Sequence, residues 1–192
     1  SEEFIITNLL KSLEYAEKNE NPEFVCIAYS RLSQEYSRFG RFDKGLFYVE
    51  KAIEVSIKNN LWKETAYVYS LLGDIYQYDF KLTDKALKYL IMSDSIYIAH
   101  DYKGVEKGHG LAFLGNIYKE LGNLEQALEY KNRALKVFEE NESVFQQNYV
   151  LGGIASIERE NKNYKRAAEI LINCIKYYRE NNYPISFGIL VF

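Results

Sequence analysis

The chain has 192 residues with 24 Lys and Arg against 27 Asp and Glu, a net charge of −3; this balance lacks the basic face that phosphate backbones demand, so nucleic acid is excluded as a direct ligand. Hydrophobic residues make up 47% of the chain, enough for a continuous core, yet they form no run long enough to be a membrane segment. Two prolines leave helix almost uninterrupted, and the widely separated Cys26 and Cys174 read as reduced, buried thiols of a cytoplasmic protein.

Residues 1–20 are predicted to form one helix with Leu9, Leu10, Leu13 and Ala16 on a common face, the second helix of an incomplete repeat. Asn21-Pro22-Glu23 is a helix start, because proline at the first helical position gives up no needed hydrogen bond and the acid suits the positive helix end. The helix that follows turns Tyr29, Leu32, Ser33 and Tyr36 inward, Gly40 permits a turn, and residues 42–57 return, completing a repeat over residues 21–60. The next repeat, residues 61–103, has Trp62 near its start and a turn at residues 79–83 that is one residue longer than its neighbours.

Residues 101–110 contain Gly104, Gly108 and Gly110 and are expected to be a loop or a frayed helix start, the most flexible point of the chain. A third repeat spans residues 104–142. The fourth, residues 143–182, begins at Ser143, which with Gln146 predicts a capping box, and its Gly152-Gly153 would let a ligand backbone come close. Residues 183–192 read as the start of a truncated repeat; the apolar end from Ile189 to Phe192 suggests truncation of a longer chain or self-association through an open end.

The third repeat sets the pattern. Leu111, Leu114, Gly115 and Tyr118 share one helix face, and after Gly122 the positions Ala127, Leu128, Lys131 and Ala134 share another. A helical glycine costs roughly 1 kcal/mol against alanine, so Gly115 marks a close approach of another helix. Aligning the chain with itself places Ser33, Gly73 and Ala155 in the Gly115 slot. Gly45, Ala86 and Ala167 fill the Ala127 slot, and Ala52, Ser93 and Cys174 fill the Ala134 slot. Large slots recur too: Tyr36 and Tyr76 match Tyr118, and Tyr48 and Tyr89 match Tyr130, whereas the fourth repeat has Glu158 and Ile170 there. The equivalent positions Tyr36, Tyr76, Tyr118 and Glu158 stand 40, 42 and 40 residues apart.

Leu114-Gly115, Tyr118, Gly122, Ala127, Tyr130 and Ala134, followed by Leu72-Gly73, Tyr76, Ala86 and Tyr89, resemble the tetratricopeptide repeat family over about residues 21–182. The resemblance implies an all-α fold, a right-handed α-solenoid of antiparallel helix pairs. The long period is similar to the extended subclass found in kinesin light chains, polarity scaffolds, bacterial peptide-pheromone receptors and the sensory halves of some bacterial regulators.

By position, the family's concave groove implies Arg31, Gln34 and Arg38 in the first complete repeat, then Tyr67, Asp74, Gln77 and Tyr78. The third repeat adds His109, Asn116, Lys119 and Glu120, and the fourth Tyr149, Ser156, Arg159 and Glu160. The amides of Gln34 and Asn116 suit the donors and acceptors of an extended peptide backbone. The clamp that grips chaperone tails is not matched, since the corresponding slots hold Ser30, Gln34, Leu71, His109 and Phe113.

The expected function is a non-enzymatic module binding a peptide or protein in the groove, as part of a larger assembly or signalling protein. The alternative is the sensory or oligomerising region of a bacterial regulator. No phosphate-binding glycine loop, HExxH, paired CxxC or nucleophile elbow occurs in the sequence. Glu120, Glu125 and Glu129 near Lys131 and Arg133 read as a solvated face. His100 and His109 with Asp101 and Glu106 have metal-ligand chemistry, but a loop is their simpler reading, and no metal or cofactor is expected.

Overall fold

A computed structural model of the chain describes residues 2–183. Among these residues there are nine helices and no strand: α1 Glu2–Lys18, α2 Pro22–Arg38, α3 Phe42–Lys58, α4 Trp62–Tyr78, α5 Thr83–Ala99, α6 Val105–Glu120, α7 Leu124–Glu140, α8 Val144–Glu160 and α9 Tyr164–Glu180. The chain divides into two compact units, Ser1–Asp101 with α1 to α5 and Tyr102–Phe192 with α6 to α9. Within each unit every helix packs on the next, so neighbours run antiparallel. The first unit also brings α2 against α4, and the second brings α6 against α8.

The turns share one device. Glu20, Gly40, Asn60, Lys81, Asp101, Gly122, Glu142, Lys162 and Asn182 all have left-handed backbone, with φ between 47° and 75°. In most of these turns the next amide reaches back to a carbonyl five residues earlier, as in Arg41 to Tyr36 at 2.8 Å, Asn123 to Tyr118 at 2.9 Å and Asn163 to Glu158 at 2.8 Å. This closes the helix C-terminus on itself and satisfies its last carbonyls. Only two of the nine positions are glycine, although an L-residue there is strained by about 1 kcal/mol.

The twelve small residues that define the repeat are all buried. A Cβ on Gly73 would stand 2.6 Å from Leu90 Cγ and 3.1 Å from the Ala86 carbonyl, so α4 and α5 meet at a distance only glycine permits. The recurring tyrosines stack across each helix pair. Tyr36 lies on Tyr48 at 5.3 Å, Tyr76 on Tyr89 at 5.6 Å and Tyr118 on Tyr130 at 5.3 Å, with planes within 16° of parallel. Where the fourth repeat lacks the stack, Glu158 is buried in its place, paired with Arg166 at 3.2 Å and accepting from Asn163 at 2.7 Å.

Several expectations need correction. On α1, Leu9, Leu13 and Ala16 face inward together with Ile6, while Leu10 is exposed. Residues 105–110 are helix rather than loop: Gly108 is buried in α6 where a Cβ would stand 2.7 Å from the Phe138 ring, so aromatic packing outweighs glycine's poor helix propensity. Ser143 makes no capping bond, because its hydroxyl turns back to the Asn141 carbonyl at 3.3 Å. The turn at residues 79–82 does carry the extra residue, four between helices where most turns have three. The expected truncated repeat and its open end lie, beyond Tyr183, outside the described residues.

Candidate functional site

In the first unit the candidate side chains stand on α2 and α4. Gln34 Nε2 donates to the Tyr67 hydroxyl at 3.0 Å, tying the two helices, and Arg31 reaches Gln34 Oε1 at 3.5 Å. Arg38 is exposed and pairs with Glu35 on its own helix. Asp74 is half-buried; burial, then the neighbouring Asp79 carboxylate, push its carboxyl up to about 7. Gln77, expected on the surface, is buried at 6% exposure, whereas Tyr78 beside it is exposed with the Lys81 ammonium 5.7 Å from its ring.

In the second unit the candidates stand on α6 and α8. Lys119 Nζ donates to Ser156 Oγ at 2.8 Å and pairs with Glu160 at 3.2 Å, so it spans the two helices. Asn116 and Arg159 are half-buried and Tyr149 and Glu120 are exposed, but Ser156 is buried at 6%. His109 sets its ring edge-on to Phe138 at 5.2 Å.

Lys131 of α7 reaches the same place from behind. It is 2% exposed, and burial, then Lys119, lower its ammonium to about 7. Its stem lies over Gly115, where a Cβ would be 2.8 Å from Lys131 Cγ, and its Nζ ends 3.0 Å from where a Gly153 Cβ would be. Gly153 therefore makes room for this side chain, not for a ligand backbone as expected. The repeat register holds the clue that sequence reading passed over: the Lys131 slot is Val49, Leu90 and Leu171 in the other copies. One charged residue replaces three aliphatic ones.

Elsewhere the surface has concavities of about 650 Å³ at the start of α9, around Tyr164 and Arg166, and about 520 Å³ on its outer face at Ile172 and Ile175. Another, of about 270 Å³, lies over the α1–α2 turn at Pro22 and Val25. These three are away from the candidate side chains. His100 stacks on Trp62 at 4.1 Å, and no three His, Cys, Asp or Glu residues converge as a metal site among the described residues. No described helix is long and apolar enough to cross a membrane.

No curated protein matches the sequence. Among solved structures, BtubC (BKLC) from P. vanneervenii has the same fold at 14% identity, TM-score 0.71, over 95% of this chain and 92% of that one. Aspartyl phosphate phosphatase F from Bacillus subtilis is similar at 16% identity, TM-score 0.74, over 93% of this chain and 51% of that one. A Signal Transduction ATPase with Numerous Domains protein with a tetratricopeptide repeat sensor, from Pyrococcus horikoshii, is similar at 26% identity, TM-score 0.70, over 88% of this chain and 26% of that one. The tetratricopeptide repeat profile matches residues 27–56, which hold the Tyr36–Tyr48 stack, and residues 109–141, which hold the Tyr118–Tyr130 stack. The chain is thus an all-α helical-repeat solenoid that carries two segments similar to the tetratricopeptide repeat.

Proposed function

We propose that the chain is a non-enzymatic interaction module that binds a peptide or protein segment on the first-helix faces, α2 with α4 and α6 with α8, within a larger cytoplasmic assembly or signalling protein. One observation carries this reading. In both units polar side chains of successive first helices are cross-tied, Gln34 to Tyr67 and Lys119 to Ser156, and such ties hold donors and acceptors in one geometry before a ligand arrives. The thiols of Cys26 and Cys174, free and buried and pushed up to about 12 and 11 by that burial, suit a reducing compartment.

Alanine at Gln34, Asn116 and Arg159 together is expected to weaken a partner recovered by affinity capture by about tenfold or more, roughly 1.4 kcal/mol, with helical circular dichroism unchanged. Undiminished binding in titration calorimetry removes these faces from the reading. A second reading, the sensory region of a bacterial regulator, draws support from the similarity to the sensor-bearing protein of Pyrococcus horikoshii. A reading frame joining this segment to a kinase, ATPase or DNA-binding domain supports it, and one with no effector domain counts against it.

A further inference from the structure

We propose that the α6–α8 face holds a carboxylate site, in which the Lys131 ammonium, seated over Gly153 beside Lys119, takes an aspartate or glutamate side chain of a bound polypeptide. This deepens the interaction-module reading and rests on it. Lysine is almost never fully buried unless paired, yet Lys131 is 2% exposed and has no hydrogen bond or ion pair with any described residue. Its path is built into two helices: Gly115 clears the stem and Gly153 clears the tip. Each glycine weakens its helix relative to alanine, a sacrifice that an aliphatic residue in this slot would need only once, as Leu90 over Gly73 shows.

The surrounding charges lack one negative partner. From α6, Lys119 faces Lys131 with like charge. From α8, Glu160 is engaged by Lys119 at 3.2 Å, and Glu158 is turned toward α9, where Arg166 and Asn163 hold it. Both glutamates of α8 are thus held by other cations, and a carboxylate supplied by a ligand is the group that the Lys131 ammonium lacks. Because burial lowers Lys131 to about 7, an arriving carboxylate restores its charge, and binding near pH 8 takes up a proton.

The test follows the Lys131 side chain by NMR in the full chain carrying carbon-13 lysine, titrated with a blocked glutamate-containing hexapeptide, its glutamine counterpart and inorganic phosphate. The glutamate peptide is expected to raise the Lys131 titration midpoint by at least one pH unit, saturably, with proton uptake in calorimetry, and the glutamine peptide is not. Lys131→Met abolishes the binding. Gly153→Ala, which keeps the lysine and sets a methyl 3.0 Å from its Nζ, weakens it about tenfold and keeps the test decisive if Lys131→Met does not fold. A shift produced by phosphate but not by the glutamate peptide, an adventitious ion only, overturns the site, as does equal peptide binding by Lys131→Met or an unmoved midpoint. Peptide binding that leaves Lys131 unmoved but is lost on alanine substitution of Gln34, Asn116 and Arg159 overturns the carboxylate site while the interaction module stands.

Discussion

Asp74 and Lys131 give the two units opposite responses to pH. Asp74 is raised from 3.8 to about 7, so between these values the folded chain keeps a proton that the unfolded chain has released, and stability falls as pH rises through that window. Lys131 is lowered from 10.5 to about 7, so from pH 7 to 10.5 the unfolded chain holds the extra proton and stability rises with pH. Urea denaturation across pH should show Asp74→Asn flattening the fall and Lys131→Met flattening the rise. At pH 7 the Lys131→Met variant is expected to be more stable, read as a raised urea midpoint, because apolar packing replaces a buried ammonium that has no partner among the described residues.

Backbone strain makes a separate prediction at this scale. Lys162 has φ of 63° in an exposed turn, so Lys162→Gly should stabilise the chain by about 1 kcal/mol, read as a raised denaturation midpoint. The sequence signals this geometry at Gly40 and Gly122 but not at Lys162 or Glu142, whose side chains give no sign of it. Lys131 was hidden for a different reason. Periodicity puts it on the packing face, where it does lie, while its charge beside Glu125, Glu129 and Arg133 puts it on a solvated face, which its burial at 2% exposure overturns.

Among elements, the tyrosine stacks were legible as recurring pairs of positions, since Tyr36 with Tyr48, Tyr76 with Tyr89 and Tyr118 with Tyr130 keep a common register. The fourth repeat looked merely divergent. Its structure shows an exchange of chemistry, a buried carboxylate with Arg166 and Asn163 in place of two rings. Arg166→Ala leaves Glu158 buried with one partner fewer, which should destabilise α8 and α9 by about 1–3 kcal/mol. Glu158→Leu combined with Arg166→Ala should recover much of that loss in a double-mutant cycle, because no charge then remains to satisfy. Glycine misled the reading of residues 104–110: Gly108 serves the Phe138 ring, and a one-dimensional count cannot separate a helix breaker from a helix notch.

For the whole molecule, twelve small residues in register made the helical-repeat fold readable before any coordinates, because only buried close contacts demand them so consistently. The candidate side chains were readable as places on the first helices. Their engagement was not, since bonds such as Gln34 to Tyr67 and Lys119 to Ser156 depend on residues 33 and 37 positions apart. The division at Asp101 falls at the start of the glycine-bearing stretch 101–110 that the sequence singles out, within the one interval of 42 in place of 40. In a repeat chain each unit is held chiefly by neighbour contacts. Hydrogen exchange on Lys131→Met should therefore show slowed exchange across α6 to α9 with α1 to α5 unchanged; equal slowing throughout would mean that the units unfold as one.

The left-handed turn recurring about every twenty residues has a further consequence. Most helices leave and re-enter the stack by the same short backbone path, so a helix pair is an interchangeable cassette whose ends fit its neighbours' sockets. Duplicating residues 21–60 in place would lengthen the first unit by one pair and multiply its contact positions without inventing a new joint. Chain length in such a protein can then drift by forty-residue steps, and the reach of its grip can change while its architecture stays the same.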